Sequence, residues 1–271
     1  MKKLLSILLV AVMLLSLAAC GAGTKTIRIS TTTSVNDSGL LGYLLPYFKE
    51  ATGYEVDVQS AGTGAAIQKA MDGNADLILV HSKASEEKFV ADGYGVERIP
   101  FMYNYFVIVG PKDDPAGIKG SKDATAAFAK IAASESKFVS RGDDSGTHKA
   151  ELKIWAETVP NAETDTWYIN AGKGMGECLT MASEQGAYCL TDKATFLSNA
   201  KNLDLEILLA EGEDMKNTYS LIACNPEKLP DIDTEGAKAF INWMTGDEAS
   251  ALIAKYGEAE YGSALFYLIE E

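Results

Sequence analysis

Residues 140–147 (SRGDDSGT) combine an arginine, two aspartates and a Ser-Gly-Thr triplet where an apolar strand is expected to lead into a helix. Arg141 is always charged, and its planar guanidinium can donate two parallel hydrogen bonds to an oxyanion. The triplet 145–147 adds hydroxyl groups and backbone amides that have no partner within the helix. Asp143 or Asp144 can orient the guanidinium by pairing with it, and the other can cap the helix or face solvent. These residue types predict an oxyanion-binding turn, against the alternative of an ordinary capped helix with a surface ion pair.

Two earlier turns offer donors of the same kind. The hydroxyl-rich turn 31–34 (TTTS) follows the predicted strand 26–30, and the turn 61–64 (AGTG) opens directly into a predicted helix. The N-terminus of a helix resembles about half a positive charge, and glycine lets a ligand approach the amides there. Each turn alone can also be an ordinary helix start, because Ser, Thr and Gly are common at such places. Together the three turns predict an oxyanion clamped in a cleft, because a five-atom ligand needs donors from more than one turn to reach micromolar affinity.

The elements that would position these turns alternate along the chain. Short apolar runs and amphipathic segments give the order β-α-β-α-β up to the β-forming run 101–111, and a similar series follows. The run 217–226 repeats the character of 101–111, and helices are predicted after it. This pattern predicts an α/β fold of two lobes, each a mostly parallel sheet flanked by helices, joined by two crossover strands. We expect one lobe to contain 26–105 plus 218–271 and the other to contain 106–217.

The first 20 residues (MKKLLSILLVAVMLLSLAAC) have the composition of an export signal. Two lysines precede an apolar run, and the run 4–19 is about four residues short of the ~20 needed to span a bilayer. Its ending, LAAC (17–20), resembles a bacterial lipobox, which implies cleavage before Cys20 and lipid attachment to the sulfur. We therefore expect 1–20 to be a lipoprotein signal peptide. The protein would be exported and anchored to the cell membrane through Cys20, on the extracellular face or in the periplasm.

The formal net charge of the chain is −14, and 47% of its residues are hydrophobic, as in a globular protein. Such an acidic surface disfavours nucleic acid and anionic lipid as partners, so a bound anion must be held by local dipoles. Cys178, Cys189 and Cys224 remain after Cys20, and their spacing fits no metal site. A Cys178–Cys189 disulfide and buried free thiols stay open as alternatives.

An enzyme is the rival class of protein, and the sequence lacks the groups that catalysis needs. His81 and His148 are its only histidines, and no G-x-S-x-G elbow, HExxH pattern or Cys/His cluster is present. We therefore expect a binding protein without cofactor, catalytic residue or bound metal cation. A phosphate-ester hydrolase is a less favoured alternative function. An adhesin is another alternative, but that function would leave the three donor turns unexplained.

Three segments resemble the matching parts of bacterial tungstate-binding proteins: TTTSVNDSGLL (31–41), SAGTGAAIQKAMDGNADLILVHS (60–82) and SRGDDSGTHKAELKIW (140–155). Those proteins are the solute-binding lipoproteins of Tup-type ABC transporters and are related to the phosphate-binding proteins. The resemblance implies a two-lobed periplasmic-binding-protein fold (type II), a monomer that closes on tungstate, and an ABC permease as partner. Molybdate, and phosphate or sulfate, are the alternative ligands for the same fold.

Carried over by position, the resemblance also implies a set of oxyanion contacts at the three turns. They are Thr32, Thr33, Ser34, Thr63, Arg141, Ser145 and Thr147, to which we add Gly146 of the same triplet. Asp143 would hold Arg141 in place.

His81 bears on the choice of anion. In phosphate-binding relatives a carboxylate near the end of the third strand accepts the proton of hydrogen phosphate, and His81 takes that place here. An imidazole can instead donate a hydrogen bond to an oxyanion that carries no proton. We therefore predict that His81 contacts the anion and favours tungstate or molybdate over phosphate, with a histidine merely packed at a strand end as the alternative.

Overall fold

A computed structural model of the chain describes residues 25–210 and 212–269, so the predicted signal peptide and Cys20 lie outside the described residues. The strands are β1 (Lys25–Thr32), β2 (Tyr54–Ala61), β3 (Leu77–Val80), β4 (Ile99–Gly110), β5 (Phe138–Ser140), β6 (Tyr168–Asn170), β7 (Tyr188–Asp192), β8 (Glu206–Ala210), β9 (Lys216–Ala223) and β10 (Tyr267–Leu268). The α-helices are α1 (Thr33–Asp37), α2 (Leu40–Thr52), α3 (Thr63–Met71), α4 (Lys83–Ala91), α5 (Ala124–Ala133), α6 (Gly146–Thr158), α7 (Met175–Gln185), α8 (Lys193–Asn199), α9 (Thr234–Met244), α10 (Asp247–Lys255) and α11 (Glu258–Tyr261). Within these ranges no helix has the length and apolar character of a membrane span, and no cluster of three or more His, Cys, Asp or Glu could hold a metal ion.

The long strands β4 and β9 join two halves of one sheet. The strand order is β2-β1-β3-β9-β4-β7-β5-β6, and β8 and β10 also pair with β4. The part of β4 up to Tyr105 pairs with β9, whereas the part from Phe106 onward pairs with β7. In the first half β1 is parallel to β2 and β3, and in the second half β5 is parallel to β6 and β7. The predicted α/β fold of mostly parallel sheets joined by two crossover strands is therefore confirmed.

Local sequence rules explain the elements of the first half. β3 (LILV) is buried along its whole length, as expected of an interior strand in a sheet covered by helices. α2 buries Leu40, Leu44 and Phe48 in the core that it shares with the sheet. Gly53 follows α2 with a φ of +75°, and this left-handed conformation, which glycine adopts without strain, ends the helix.

The second half packs around Trp155 of α6. The Trp155 ring lies 4.3 Å from that of Phe128 on α5 and 5.1 Å from that of Phe138 on β5, measured between ring centroids. All three side chains are buried, and burying a side chain of this size contributes about 2–3 kcal/mol. This packing fixes α6 against β5, and so fixes the turn 140–147 that connects them.

Five elements were not predicted from the sequence: the short helices α1, α8 and α11 and the strands β8 and β10. β10 pairs antiparallel with β4, with Tyr267 opposite Tyr103, where only helices were expected near the end of the chain. β8 pairs with β4 through a register shift between Ile108 and Val109. A strand of two residues, or one with an irregular register, carries too little periodicity to be recognised without its partner.

The three cysteines within the described residues are buried free thiols. Cys178, Cys189 and Cys224 form no disulfide. Burial raises the pKa of Cys178 and of Cys224 to about 12, so these thiols stay protonated and poorly reactive. Of the two alternatives that the sequence left open, the structure contains the free thiols.

Glu151 is a buried carboxyl group on α6. Trp155 Nε1 and Tyr168 Oη both donate to its Oε1, at 3.1 and 2.7 Å. Burial raises the pKa of Glu151 from 4.5 to about 8, and the charge of Asp143 adds to the shift. Between pH 4.5 and 8 the unfolded chain therefore binds fewer protons than the folded protein. Linkage then requires that Glu151 lowers the free energy of unfolding as the pH rises through this range.

The Glu151→Gln variant is expected to raise the free energy of unfolding by about 1–3 kcal/mol at pH 8 and to change it little at pH 5. The amide oxygen keeps both donors, and the amide has no proton to lose. Urea denaturation at the two pH values measures the difference. Glu157→Gln, an exposed change on the same helix, serves as the control and should have no effect at either pH. An equal effect of Glu151→Gln at both pH values would show that the carboxyl group is not protonated in the folded protein.

Candidate functional site

The three predicted turns lie at the carboxyl ends of β1, β2 and β5, where α1, α3 and α6 begin. Thr32 caps α1, and its hydroxyl accepts from the Val35 amide at 3.4 Å. Ser145 caps α6 in the same way and accepts from the His148 amide at 3.1 Å. Thr63 is the first residue of α3. Each turn therefore presents helix amides at strand ends, the place where open α/β sheets bind ligands.

Direct contacts between the halves bring the turns together, although they are far apart in the chain. The Gly146 amide donates to the Thr63 hydroxyl at 2.7 Å, across 83 residues of sequence. Arg141 Nη1 donates to the Ser34 hydroxyl at 3.3 Å, across 107 residues. The residues buried at this junction are Thr32, Ser34, Thr63, His81, Arg141, Ser145, Gly146 and Thr147.

Arg141 lies in the interior with 1% of its surface exposed. Its Nη2 pairs with Asp143, whose other carboxylate oxygen accepts the Ser145 amide at 3.1 Å. Asp144 points elsewhere: its side chain is 69% exposed and pairs with Lys149 at 3.3 Å. Asp143 is therefore the aspartate that orients the guanidinium. Arg141 Nε has no hydrogen-bond partner in the described structure, so the arginine retains donor capacity.

Two glycines allow the turns to approach this closely. A Cβ atom on Gly62 would lie 2.9 Å from the Asp143 carbonyl oxygen, across the junction between the halves. Gly142 has a φ of +58°, and a Cβ there would overlap the Asn170 side chain. Any side chain at Gly62 would therefore hold the halves apart, whereas one at Gly142 would strain the turn itself.

Unsatisfied polar atoms are concentrated at the same junction. Eight buried side-chain nitrogen or oxygen atoms of the described residues have no hydrogen-bond partner, and four of them belong to predicted site residues. These four are Thr33 Oγ1, His81 Nε2, Arg141 Nε and Thr147 Oγ1. Burying such a group without a partner costs about 1–3 kcal/mol, so proteins keep few of them. Their concentration at the predicted turns indicates a place where a polar ligand supplies the partners.

His81 follows β3 and packs against the crossover strands. Its Nδ1 lies 2.8 Å from the side-chain oxygen of Asn217. The Asn217 nitrogen donates to Asn104 and Tyr219, at 3.0 and 2.8 Å, so the oxygen accepts and His81 Nδ1 carries the proton. Burial, together with the charge of Arg141, lowers the pKa of His81 to about 4, and the ring is neutral at pH 7.

The protonation state of His81 restricts the role that the sequence predicted for it, which was to donate a hydrogen bond to the anion. In the neutral ring Nε2 has a lone pair and is an acceptor, so His81 donates through Nε2 only after it takes up a proton. The unprotonated ring can accept from hydrogen phosphate as well. Discrimination against phosphate by His81 therefore requires the imidazolium form.

A buried polar network on the crossover strands was not predicted from the sequence. Asn104 of β4 accepts from Asn217 of β9 at 3.0 Å and donates to Asp192 at 3.3 Å. Asp192 accepts from the Thr195 amide at 2.8 Å and from the Thr195 hydroxyl at 2.7 Å, and that hydroxyl oxygen also lies 3.2 Å from the Ser34 carbonyl oxygen. The signal that could have identified the network is an asparagine within each of two aromatic, β-branched strands. Through Asp192 and Thr195 the network places the crossover strands in contact with the turn 31–34.

Comparison with known proteins extends the similarity from these turns to the whole chain. Residues 18–248 match the PBP superfamily domain. The chain is 46% identical over 282 residues to the tungstate-binding protein TupA of Peptoclostridium acidaminophilum, with 98% of each chain covered. The tungstate ABC transporter structure from Geobacter sulfurreducens is 44% identical with a TM-score of 0.79, covering 85% of this chain and 98% of that one. The tungstate-binding protein TupA from Desulfovibrio alaskensis G20 is 39% identical with a TM-score of 0.76, covering 91% and 100%.

Proposed function

The chain belongs to the PBP superfamily, in the family of the TupA tungstate-binding proteins, and on that premise we propose that it captures tungstate outside the cytoplasmic membrane. The oxyanion would be enclosed between the two halves of the molecule and delivered to the permease of an ABC transporter. The protein acts by binding a solute and not by catalysis.

The observation that carries this proposal is the convergence of three donor turns on a junction with unsatisfied polar atoms. An oxyanion would satisfy Thr33 Oγ1, Arg141 Nε and Thr147 Oγ1, because each of its oxygens accepts several hydrogen bonds. It would satisfy His81 Nε2 once that ring is protonated. The proposed contacts are Thr32, Thr33, Ser34, Thr63, His81, Arg141, Ser145, Gly146 and Thr147, with Asp143 as the support of Arg141.

The charges of the site suit a fully deprotonated dianion. Arg141 contributes a full positive charge and can donate to two oxygens of a tetrahedral anion. The N-termini of α3 and α6 add partial positive charge from opposite halves. Asp143, a carboxylate at the junction, is already paired with Arg141 and with the Ser145 amide, so it is not an open acceptor for a proton on the ligand.

We also propose that the halves open and close about β4 and β9. The lobes would be 26–105 plus 218–271 and 106–217. The exchange of partner strands between Tyr105 and Phe106 supports a boundary at that point of β4. Small-angle X-ray scattering with and without tungstate tests the motion, and an unchanged radius of gyration would contradict it.

A thermal-shift panel of tungstate, molybdate, sulfate and phosphate tests the proposed function. A ligand present at 1,000 times its Kd adds about 4 kcal/mol to the stability of the folded protein. We expect a large increase in Tm with tungstate and none with sulfate or phosphate, and the molybdate sample measures selectivity between the two metal oxyanions. A large shift with phosphate and none with tungstate would refute the proposal.

Tungstate binding is expected to be accompanied by proton uptake at His81. A dianion beside Nε2 favours the imidazolium form and raises the pKa of the ring from its value of about 4. The affinity for tungstate should therefore increase as the pH falls from about 8 to about 6.5, because the bound state binds more protons than the free state. Titration calorimetry at pH 7 in buffers of different ionisation enthalpy measures the number of protons taken up.

Two histidine variants identify the group that takes up the proton. His81→Asn should abolish the uptake. His148→Gln should retain it, although burial also lowers the pKa of that half-buried histidine. Uptake that persists in His81→Asn would place the proton on another group.

We propose in addition that 1–20 is a lipoprotein signal peptide, that the protein acts as a monomer, and that a lipid on Cys20 anchors it to the membrane. The lipobox-like ending LAAC supports the anchor. Cys20→Ala is expected to prevent retention in the membrane fraction of expressing cells by removing the acylated sulfur. If the variant is retained like the wild-type protein, the anchor is not on Cys20.

A further inference from the structure

A cavity of about 630 Å³ lies between the two halves of the molecule, beside the proposed oxyanion site. Its inner wall includes His81 and Gly146, which belong to the proposed contacts. Phe106 and Asn217 of the crossover strands form another part of the wall, and α4 and α6 supply the outer sides. Since a water molecule takes up about 30 Å³ in the liquid, the cavity is far larger than a five-atom ligand requires.

The outer part of this cavity is basic, although the protein is acidic. Among the described residues, five cationic side chains line the cavity against two carboxylates, whereas the whole sequence has 24 Lys and Arg against 38 Asp and Glu. The cations are Lys83, Arg98, Lys149, Lys153 and Lys216, and the carboxylates are Glu157 and Asp214. We call this region the basic vestibule.

Three of the lysines contribute most of the uncompensated charge. In the described ranges neither Lys153 nor Lys216 has a carboxylate oxygen within 4.0 Å of its ammonium group. Lys216 lies over the Tyr103 ring at 4.0 Å, which leaves its charge in place. Lys83 is 3.7 Å from Glu87, and because both side chains are largely exposed, this pair is weak.

The other two cations of the basic vestibule are more strongly compensated. Arg98 Nε donates to the buried Glu86 at 2.6 Å. Lys149 is 3.3 Å from Asp144 and donates to the Ser85 hydroxyl of α4 at 3.0 Å, so it also bridges the two halves. These two side chains shape the wall, while the positive potential comes mainly from the three lysines.

We infer that the basic vestibule is the route by which the oxyanion reaches its site and that its lysines raise the association rate. This inference rests on the proposed function. The net charge of −14 repels a dianion at long range, so a local region of opposite sign is needed to guide it. A cleft lined by one sign of charge between low-dielectric walls raises association rates by about 10- to 10³-fold.

Steering has a kinetic consequence that distinguishes it from contact with the bound ligand. Lys83 and Lys153 are exposed and are not among the proposed contacts, so they act on the approaching anion and not on the enclosed one. Their removal should therefore lower kon and leave koff unchanged. The effect should also decrease with salt, because the Debye length falls from about 30 Å at 0.01 M to about 3 Å at 1 M.

The test is stopped-flow tryptophan fluorescence with sodium tungstate at several salt concentrations. The double variant Lys83→Gln/Lys153→Gln is expected to lower kon about fivefold at 0.02 M salt and less than twofold at 0.5 M, with koff unchanged. Lys83→Arg/Lys153→Arg keeps both charges and should restore kon.

A matched control is available on helices α9 and α10, none of whose described residues line the cavity. Lys238 has a helical ion pair with Glu235 at 3.2 Å, like Lys83, and Lys255 has none in the described ranges, like Lys153. Lys238→Gln/Lys255→Gln changes the net charge by the same amount and should leave kon within about twofold of the wild-type value.

The results that would contradict the inference can be distinguished from one another. If the control lowers kon as much as the vestibule variant, net charge and not the route is responsible. If the vestibule variant changes koff alone, or changes neither rate, the lysines do not steer the anion although tungstate binds. If the wild-type protein binds no tungstate, the proposed function fails and the inference falls with it.

Discussion

The Arg141→Ala variant is expected to weaken tungstate binding by at least about 100-fold. Arg141 is buried, is oriented by Asp143, and has an Nε without a partner in the described structure. Hydrogen bonds to charged groups contribute about 1.5–3 kcal/mol each, so two of them correspond to about 3–6 kcal/mol. The loss is increased by the Asp143 carboxylate, which in the variant faces the dianion without its partner. Isothermal titration calorimetry measures the change.

Two further arginine variants serve as controls. One distinguishes the charge of Arg141 from its hydrogen-bond geometry, and the other tests whether a general loss of stability affects binding. Arg141→Lys keeps the charge but loses the planar fork, and we expect it to retain only part of the affinity. Arg28→Ala removes a different arginine, which pairs with the buried Asp76 at 2.6 Å outside the proposed contacts. That control should lower stability and leave the tungstate affinity unchanged. Affinity within tenfold of wild type in a folded Arg141→Ala protein would place the oxyanion elsewhere.

The Gly62→Ala variant is expected to weaken tungstate binding by about 10- to 100-fold without removing any donor. A Cβ at this position would lie 2.9 Å from the Asp143 carbonyl oxygen on the opposite half, and a backbone atom cannot move aside as a side-chain tip can. The backbone of Gly62, at φ −62° and ψ 153°, is one that alanine adopts without strain. The substitution should therefore oppose closure of the two halves and leave the open protein folded. We expect the loss to appear mainly as a faster koff in stopped-flow measurements.

Two glycine variants serve as controls for closure. A Cβ at Gly64 would also meet the opposite half, but at the carboxylate of Asp144, whose exposed side chain can rotate away. Gly64→Ala should therefore cost much less affinity than Gly62→Ala. Gly42→Ala lies within α2 with no atom within 4 Å of the new Cβ, and it should stabilise the helix slightly and leave binding unchanged. Equal affinities in Gly62→Ala and Gly42→Ala would show that binding does not require the close approach of the halves.

The fold class could be predicted from the sequence because its signals are local. The apolar run of β3, the amphipathic face of α2 and its stop at Gly53 each depend on neighbouring residues. β8 and β10 could not be predicted in this way, since each exists as a strand only by pairing with β4. Their stability comes from hydrogen bonds to a partner far away in the chain, which periodicity does not encode.

The residue types of the proposed site were predictable for the same reason. Ser and Thr at helix starts, glycine beside them and one arginine are features of short segments, and the structure places them at the ends of strands. The residue types alone left open which aspartate orients Arg141, although the family resemblance implied Asp143. In the structure Asp143 pairs with Arg141, and Asp144 faces solvent. The answer depends on the left-handed backbone at Gly142 and on the burial of the guanidinium, neither of which composition specifies.

By itself, the sequence determined an acidic α/β protein with three donor turns and without the groups of an enzyme. Only the tertiary structure decided that the Gly146 amide meets Thr63 and that the proton of His81 is on Nδ1. These contacts join residues 83 and 136 positions apart. Such features depend on which strands become neighbours and on which groups are buried with them. The protonation and hydrogen bonding of a buried polar group are set by desolvation and by its partners, and not by residue identity alone.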